Sequence, residues 1–110
     1  MTHPRKSLDT VIHAPVRFSI AAALASVDEA DFKTLRDTIE ITDSALSKQI
    51  ALLEQAEYVK VRKAFVGKRA RTWLSLTGKG RTAFARHLTA LREIAAWEAE
   101  PVNELGGPTS

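Results

Sequence analysis

The chain has 110 residues, which is enough for one domain with a modest core. Hydrophobic residues make up 45% of it and charged residues 26%, values that argue against a wholly disordered chain, and the lack of cysteine excludes disulfide bonds and thiolate metal sites. The net charge is only +3, but Tyr58–Arg92 holds ten of the sixteen basic residues and no acidic one. Such a one-signed stretch either attracts a polyanion or forms a solvated basic surface.

The N-terminal region is predicted to contain a flexible arm and two helices. Residues 1–6 are expected to form the arm. Ser7 is placed to cap a short helix that runs through Ile12, and Pro15 suits the first turn of a second helix that continues to Leu24. The region lacks the apolar stretch of a signal peptide, and no segment has the ~20 apolar residues of a membrane span. We therefore expect a cytoplasmic protein that does not contact membranes.

Two further helices are predicted next, joined by a tight turn. Asp31 is a suitable N-cap for a helix over 32–38, and Thr42 for a helix over 43–56. Apolar residues at i, i+4 and i+7 of the second of these helices are predicted to face the core: Leu46, Ile50 and Leu53.

A hairpin and a long helix complete the predicted elements. Residues 58–65 and 71–76 are rich in β-forming side chains with rough alternation, which predicts two strands around a basic loop. Thr77 then caps a helix over about 78–100. Two poor helix formers in its first turn can serve a close backbone approach: Gly78 and Gly80.

This order of elements indicates a winged helix-turn-helix, which is mainly α with a small β-hairpin. We expect one such domain over residues 7–100, followed by a flexible tail over 101–110. The N- and C-terminal helices are expected to mediate dimerisation.

Three stretches carry a resemblance to a known family: LSKQIALLEQAEYV, the hairpin with VGKRARTW, and LTGKGRTAF. In this order and spacing they resemble winged-helix transcriptional regulators of the MarR and ArsR type, over about residues 8–95. The resemblance implies that the helix over 43–56 enters the DNA major groove, that the hairpin tip reaches the minor groove or phosphates, and that the end helices build a dimer. Relatives usually carry glycine at Glu40 and Glu57, so glutamate there implies strain or a different turn.

Two groups of residues are candidates for DNA contact. Short polar side chains at a helix start can bond phosphates and let the helix lie deep in the groove, while lysine and glutamine can reach base edges. The candidates on the recognition helix are Thr42, Asp43, Ser44, Ser47, Lys48 and Gln49. Arginine suits a narrow, negative minor groove. The candidates on the wing are Lys63, Gly67, Lys68, Arg69 and Arg71. Arg17 is a further candidate for phosphate contact, and a solvated surface is the alternative for each group.

The predicted partners are double-stranded DNA and a second copy of the chain, with a small-molecule effector at the dimer interface as a further possibility. The dimer interface is predicted to contain Leu8, Ile12, Phe84, Leu88, Leu91, Ile94 and Ala95. The three histidines, His3, His13 and His87, do not have metal-ligand spacing, so we expect no metal and no cofactor. No catalytic set of residues can be nominated, so we expect no enzyme activity. The alternative function is a winged-helix module that binds protein without specific DNA binding.

Overall fold

The computed structural model describes residues 2–99. Within them, a short 3-10 helix (Pro4–Ser7) precedes four α-helices and three strands: α1 (Pro15–Ala25), β1 (Ala30–Asp31), α2 (Phe32–Ile39), α3 (Asp43–Gln55), β2 (Val59–Val66), β3 (Arg69–Leu76) and α4 (Gly78–Ala99). The predicted fold class, a mainly α winged helix with a small antiparallel sheet, is confirmed. The tail predicted over 101–110 lies outside the described residues.

The N-terminal segment differs from its prediction. The helix predicted from Ser7 through Ile12 is wrong, because the 3-10 helix ends at Ser7 and a turn follows it. Asp9 forms this turn: its Oδ1 accepts the backbone N–H groups of Val11 at 2.9 Å and Ile12 at 3.1 Å, which offers the backbone an alternative to helical hydrogen bonds. The 3-10 helix packs against α4. The flexibility expected of residues 1–6 stays a prediction.

Both predicted caps of the helix-turn-helix are present. Asp31 Oδ1 accepts the N–H of Thr34 at 2.8 Å at the start of α2, and Thr42 Oγ1 accepts the N–H of Ala45 at 3.1 Å at the start of α3. These hydrogen bonds satisfy N–H groups that have no partner within their own helix. The two helices are therefore fixed where the sequence predicts them.

Two glutamates end helices in the left-handed conformation. Glu40 closes α2 with φ 62° and ψ 50°, and Glu57 follows α3 with φ 66°. The backbone thus makes the turn that glycine would make, and it does so with a Cβ atom present. This conformation costs a residue with a Cβ about 1 kcal/mol. The sequence predicted either backbone strain or a different turn at these glutamates. Strain is the correct prediction, because the turn is the one that glycine would make.

The core lies between the first three helices and one face of the sheet. Leu46, Ile50 and Leu53 of α3 are buried, as the helical spacing predicts. They pack in one cluster with α1, α2 and the sheet, whose fully buried members include Ile20, Leu24, Leu35 and Leu74. Since truncating a buried leucine to alanine costs about 2–5 kcal/mol, this cluster fixes the angle at which α3 is presented.

The sheet has three antiparallel strands in the order β1-β3-β2. β2 and β3 pair from Val59↔Leu76 to Val66↔Arg69, which leaves a turn of only two residues, Gly67 and Lys68. Gly67 has φ 66°, and a glycine with positive φ at the first turn position is typical of tight hairpins. The predicted hairpin is therefore confirmed, with a shorter loop. The two-residue strand β1, which pairs with β3, was not predicted.

The start of α4 is anchored to the end of α3. Thr77 Oγ1 accepts the N–H of Gly80 at 2.9 Å, as the predicted cap requires. A Cβ atom on Gly80 would overlap the carbonyl oxygen of Tyr58 and lie 2.9 Å from its carbonyl carbon. The predicted close approach is thus confirmed for Gly80. It is wrong for Gly78, where a Cβ atom would meet nothing within 4 Å.

Candidate nucleic-acid interface

The outer face of α3 presents short polar side chains. Asp43, Ser44, Ser47 and Lys48 are exposed, because the opposite face of the helix holds the core residues. Thr42 is also exposed, but its hydroxyl already caps the helix at Ala45. Four of the predicted residues therefore lie on one accessible surface, and Thr42 orients the helix that carries them.

Gln49 lies off this outer face. Its side chain is half-buried, and its Oε1 accepts a hydrogen bond of 2.8 Å from the Arg17 guanidinium. Arg17 also donates from Nε to the carbonyl oxygen of Val11 at 2.5 Å. Paired bonds to adenine require both the oxygen and the nitrogen of the amide. In this conformation Gln49 and Arg17 hold α3 against α1 and the N-terminal turn, and a contact of either with DNA requires that their hydrogen bond break.

A cation that was not predicted lies beside Asp43. Arg36, in the last turn of α2, donates to Asp43 at 2.7 Å and to Asp37 at 3.0 Å. The hydrogen bonds that Arg36 donates to Asp43 and Asp37 raise its pKa further above its usual range. Arg36 therefore compensates the charge of Asp43 at the N-terminus of α3, the end of the helix that would approach phosphates. The sequence offered no signal for this pair, since seven positions separate its members across a turn.

The predicted wing residues are all exposed: Lys63, Gly67, Lys68, Arg69 and Arg71. Two arginines contact Trp73 on one face of the hairpin: the guanidinium of Arg71 is 5.7 Å from the ring centroid and that of Arg62 is 5.6 Å. Arg62 also forms a two-point ion pair with Glu29, at 2.9 and 2.8 Å, which lowers the pKa of that carboxyl. Arg62 is thus compensated, whereas Arg71 is oriented by the indole ring.

A crevice of about 660 Å³ separates α3 from the hairpin. Ser47 and Ala51 line it from the helix, and Lys63 and Thr72 line it from the strands. Of the predicted residues, Asp43 and Ser47 of the helix and Lys63 of the wing therefore line the same concavity. Two acidic side chains also line it, Asp43 and Glu54.

The residues predicted for dimerisation differ in accessibility. Ile12 is only 1% exposed within the protomer, and its contact with a second copy stays a prediction. Phe84 is half-buried against Phe18, with ring centroids 5.6 Å apart. The remaining predicted residues are half-buried, or exposed in the case of the last: Leu8, Leu88, Leu91, Ile94 and Ala95. Their contact with a second copy stays a prediction.

A buried histidine joins the N-terminal segment to α4. His87 is 1% exposed, and its Nδ1 accepts the backbone N–H of Asp9 at 3.1 Å. Its Nε2 therefore carries the proton of the neutral ring and faces Nδ1 of His13 at 3.4 Å. Burial lowers the pKa of His87, the charge of His13 lowers it further, and Asp9 opposes both. The sequence did not reveal this pairing, because 74 positions separate the two histidines.

Asp9 extends the same network to Tyr58, the residue before β2. Its Oδ2 accepts a hydrogen bond of 2.5 Å from the hydroxyl of Tyr58, which raises the pKa of that hydroxyl to about 12. Within residues 2–99, no group of three or more histidine, cysteine or acidic residues has the arrangement of a metal site. The network is thus a set of structural hydrogen bonds that connects three parts of the chain.

The comparison with known proteins identifies the family. Residues 16–95 match the family described as the winged helix DNA-binding domain. This chain is a member of that family. It is 26% identical to an uncharacterized protein of Methanocaldococcus jannaschii over 85 residues, which cover 77% of this chain and 92% of that protein. The winged-helix family that the resemblance implied is confirmed.

Solved structures share the winged-helix fold. The chain is similar to a transcriptional regulator homologue from Pyrococcus horikoshii, with a TM-score of 0.79 and 25% identity over 87% of this chain and 96% of that one. The PcaV transcriptional regulator from Streptomyces coelicolor, solved with its natural ligand, has a TM-score of 0.70 and 15% identity over 88% of this chain and 67% of that one. In the part of the winged-helix chain that the structure describes, no helix is long and apolar enough to cross a membrane.

Proposed function

We propose that the chain binds double-stranded DNA in a sequence-specific manner, as a homodimeric transcriptional regulator. The observation that carries this proposal is the shared crevice: Ser47 on the polar outer face of α3 and Lys63 of the basic wing line the same concavity. If α3 lies in a major groove and the wing in the adjacent minor groove, the phosphate strand between those grooves follows the crevice. Lys63 and Ser47, on its two sides, are then its phosphate contacts.

The charge distribution supports the same assignment. The stretch from β2 to Arg92 of α4 contains no acidic residue. Asp43, in the first turn of α3, is compensated by Arg36. Most of the binding free energy would come from phosphate contacts and would fall steeply with salt. Ser44 and Lys48, exposed on α3, are the residues proposed to approach base edges.

Dimerisation is proposed through α4. Leu88, Leu91 and Ile94 are half-buried in the protomer, which leaves part of an apolar line accessible on this helix. A symmetric dimer would present two copies of α3 to DNA. The operator would then be roughly palindromic, with half-sites about 34–36 Å apart. A small-molecule effector at the dimer interface belongs to the proposal, because the PcaV regulator, which shares the fold, is known with its ligand.

A protein-binding module is the second candidate function. The observation that favours it is the acidic lining of the crevice, since Glu54 lines the space where a phosphate strand would lie and, among residues 2–99, no cation forms an ion pair with it. In this alternative α3 and the wing form a docking surface for a protein, and DNA binding is weak at every salt concentration. The family is one of DNA-binding domains, which favours the first candidate.

The test is fluorescence anisotropy of a labelled random-sequence duplex across a salt series, with light scattering to measure mass. The expected result is a dimer that binds DNA, with the logarithm of affinity falling linearly against the logarithm of salt concentration. Selection from a random library then yields the operator. Failure to bind any duplex at low salt contradicts the regulator and favours the protein-binding module, and a monomer that binds DNA contradicts the dimer alone.

A further inference from the structure

The tip of the wing carries exposed apolar side chains among its cations. Phe65 is 76% exposed and Val66 is 54% exposed. They are the last two residues of β2 and directly precede the two-residue turn. Successive residues of a strand point to opposite faces, so the tip carries one exposed apolar side chain on each face of the hairpin. Neither the packing of the core nor the proposed phosphate contacts account for these two exposed side chains.

The strand register explains why the Phe65 ring is uncovered. Alternate residues of β2 share a face, so Phe65 lies on the same side as Val59, which is buried in the core. By Phe65 the strand has passed beyond the core. Its cross-strand partner is Ala70, whose methyl group is too small to cover a phenyl ring. The ring consequently faces solvent on the same side of the hairpin as Lys63 and the crevice.

We propose that Phe65 is an apolar wedge that enters the minor groove of bound duplex DNA and inserts between base steps. This inference rests on the proposed function and adds a deformation of the DNA to it. Apolar side chains inserted from the minor groove partly unstack the bases and kink the duplex. The wing would then read the deformability of its site as well as its charge, because flexible steps such as TA are the least costly to open.

The positive charge around Phe65 favours DNA as its partner. The four cations predicted for the wing are exposed on the same hairpin: Lys63, Lys68, Arg69 and Arg71. They would hold the phosphates on either side of the groove, and their attraction offsets the cost of unstacking. The tip is only two strands wide: the backbones of its strands lie about 4.8 Å apart and its turn has two residues. The minor groove is about 6 Å wide, and insertion of Phe65 would widen it to admit the side chains of the tip.

The experiment measures bending and affinity together. A duplex of about 30 base pairs with a central TA step carries a donor and an acceptor fluorophore at its ends, and energy transfer reports its bend. Wild-type protein is expected to raise the transfer. Phe65→Ala is expected to abolish the rise and to weaken binding roughly tenfold, with an unchanged salt slope because no phosphate contact is removed.

Three further variants make the test specific. Phe65→Leu keeps an apolar side chain and is expected to retain most of the bend. Phe65→Lys adds a cation, so it is expected to keep or raise affinity and to lose the bend, which separates the wedge from electrostatics. Val27→Ala is the matched control, because Val27 is an exposed apolar residue, at 40%, outside the wing. It is expected to behave as the wild type does.

The failure of this inference is distinguishable from the failure of the proposed function. If Phe65→Ala binds and bends the duplex as the wild type does, the wedge is wrong and DNA binding stands. Weaker binding by Phe65→Ala with an unchanged bend also overturns insertion, since it shows contact without unstacking. If the wild type binds no duplex at low salt, the proposed function and the wedge fall together. Because Phe65 is exposed, thermal unfolding of each variant is expected to match the wild type.

Discussion

Arg36 and Asp43 join the two helices of the helix-turn-helix through a hydrogen bond of 2.7 Å between guanidinium and carboxylate. Both side chains are accessible, 26% for Arg36 and 68% for Asp43, so the pair contributes little to the free energy of folding. Its importance is electrostatic. Asp43 begins the helix that is proposed to approach phosphates, and Arg36 compensates its charge there.

Removal of Arg36 is therefore expected to weaken DNA binding through Asp43. Arg36→Ala leaves the carboxylate uncompensated beside phosphates, and we expect a loss of affinity of roughly three- to tenfold at about 0.1 M salt. The double variant Arg36→Ala, Asp43→Ala is expected to recover most of that loss. Anisotropy titrations of both variants and of Asp43→Ala form a complete double-mutant cycle. A double variant as weak as Arg36→Ala would instead mean that Arg36 contacts phosphate itself.

The wing arginines are expected to bind DNA without regard to sequence. Arg69→Ala with Arg71→Ala should lower affinity for every duplex and reduce the salt slope by about 3.6, because the dimer loses four phosphate contacts and each contributes about 0.9. The matched control removes the same charge away from the crevice, with Arg5→Ala and Arg92→Ala, both exposed. Equal slopes for the two double variants would show that net charge, and not the wing, governs binding.

Glycine is expected to stabilise the protein at both left-handed glutamates. Glu40→Gly and Glu57→Gly relieve the strain of positive φ, and each should raise the free energy of unfolding by about 0.5 kcal/mol after the greater entropy of unfolded glycine is subtracted. Glu57 also forms an exposed ion pair with Lys79 at 3.2 Å, whose loss makes its gain the smaller of the two. Urea unfolding measures the change. Glu93→Gly, in the helical part of α4, is the control and should destabilise by about 1 kcal/mol.

Two glycines in one helical turn are expected to respond oppositely to alanine. Gly80→Ala forces a Cβ atom into the Tyr58 carbonyl and should lower the free energy of unfolding by about 3 kcal/mol, since backbone must move. Gly78→Ala meets open space and should be neutral or stabilising by up to about 1 kcal/mol. Thermal or urea unfolding compares them. Similar stabilities for the two variants would contradict the close approach at Gly80.

His87 is expected to make stability depend on pH in the mildly acidic range. Burial lowers its pKa in the folded chain, so the unfolded chain binds a proton more readily. The contribution of the neutral ring is fully present above about pH 6.5, the ordinary value for histidine, and is lost as the pH falls below it. Protonation also removes the acceptor for the Asp9 N–H and places a charge beside His13.

Urea unfolding at a series of pH values tests this expectation. The wild type should lose stability as the pH falls from 7 to 5, and His87→Asn, which keeps a hydrogen-bond acceptor but does not titrate, should lose less over the same range. Parallel curves for the two proteins would assign the acid sensitivity to other groups.

The helical part of the fold was readable because its signals are local. Asp31 and Thr42 precede apolar residues at helical spacing, and both caps form where they were predicted. The hairpin was readable from its β-forming residues. The two residues of β1 were missed because a strand this short carries no periodicity. The helix predicted from Ser7 failed because the side chain of Asp9 competes for the backbone N–H groups of that segment.

The candidate site was predicted less completely than the fold. Helical spacing separates exposed from buried residues on α3, which is why Ser44, Ser47 and Lys48 lie on its accessible face. Spacing cannot reveal partners from other elements. The bonds from Arg17 to Gln49 and from Arg36 to Asp43 depend on how helices pack, and they change what those side chains can offer to DNA.

Within residues 2–99, the sheet order β1-β3-β2 leaves β2 without a neighbour on its outer side. An unpaired strand edge is a template on which another chain can add a strand, and natural proteins blunt such edges with charged side chains, lysine above all. β2 carries Lys60, Arg62 and Lys63 along this edge. These cations therefore oppose pairing between the β2 edges of two copies, in addition to the DNA contact proposed for Lys63. Substitutions that strip them will favour edge-to-edge aggregation, so a solubility screen should accompany every wing variant.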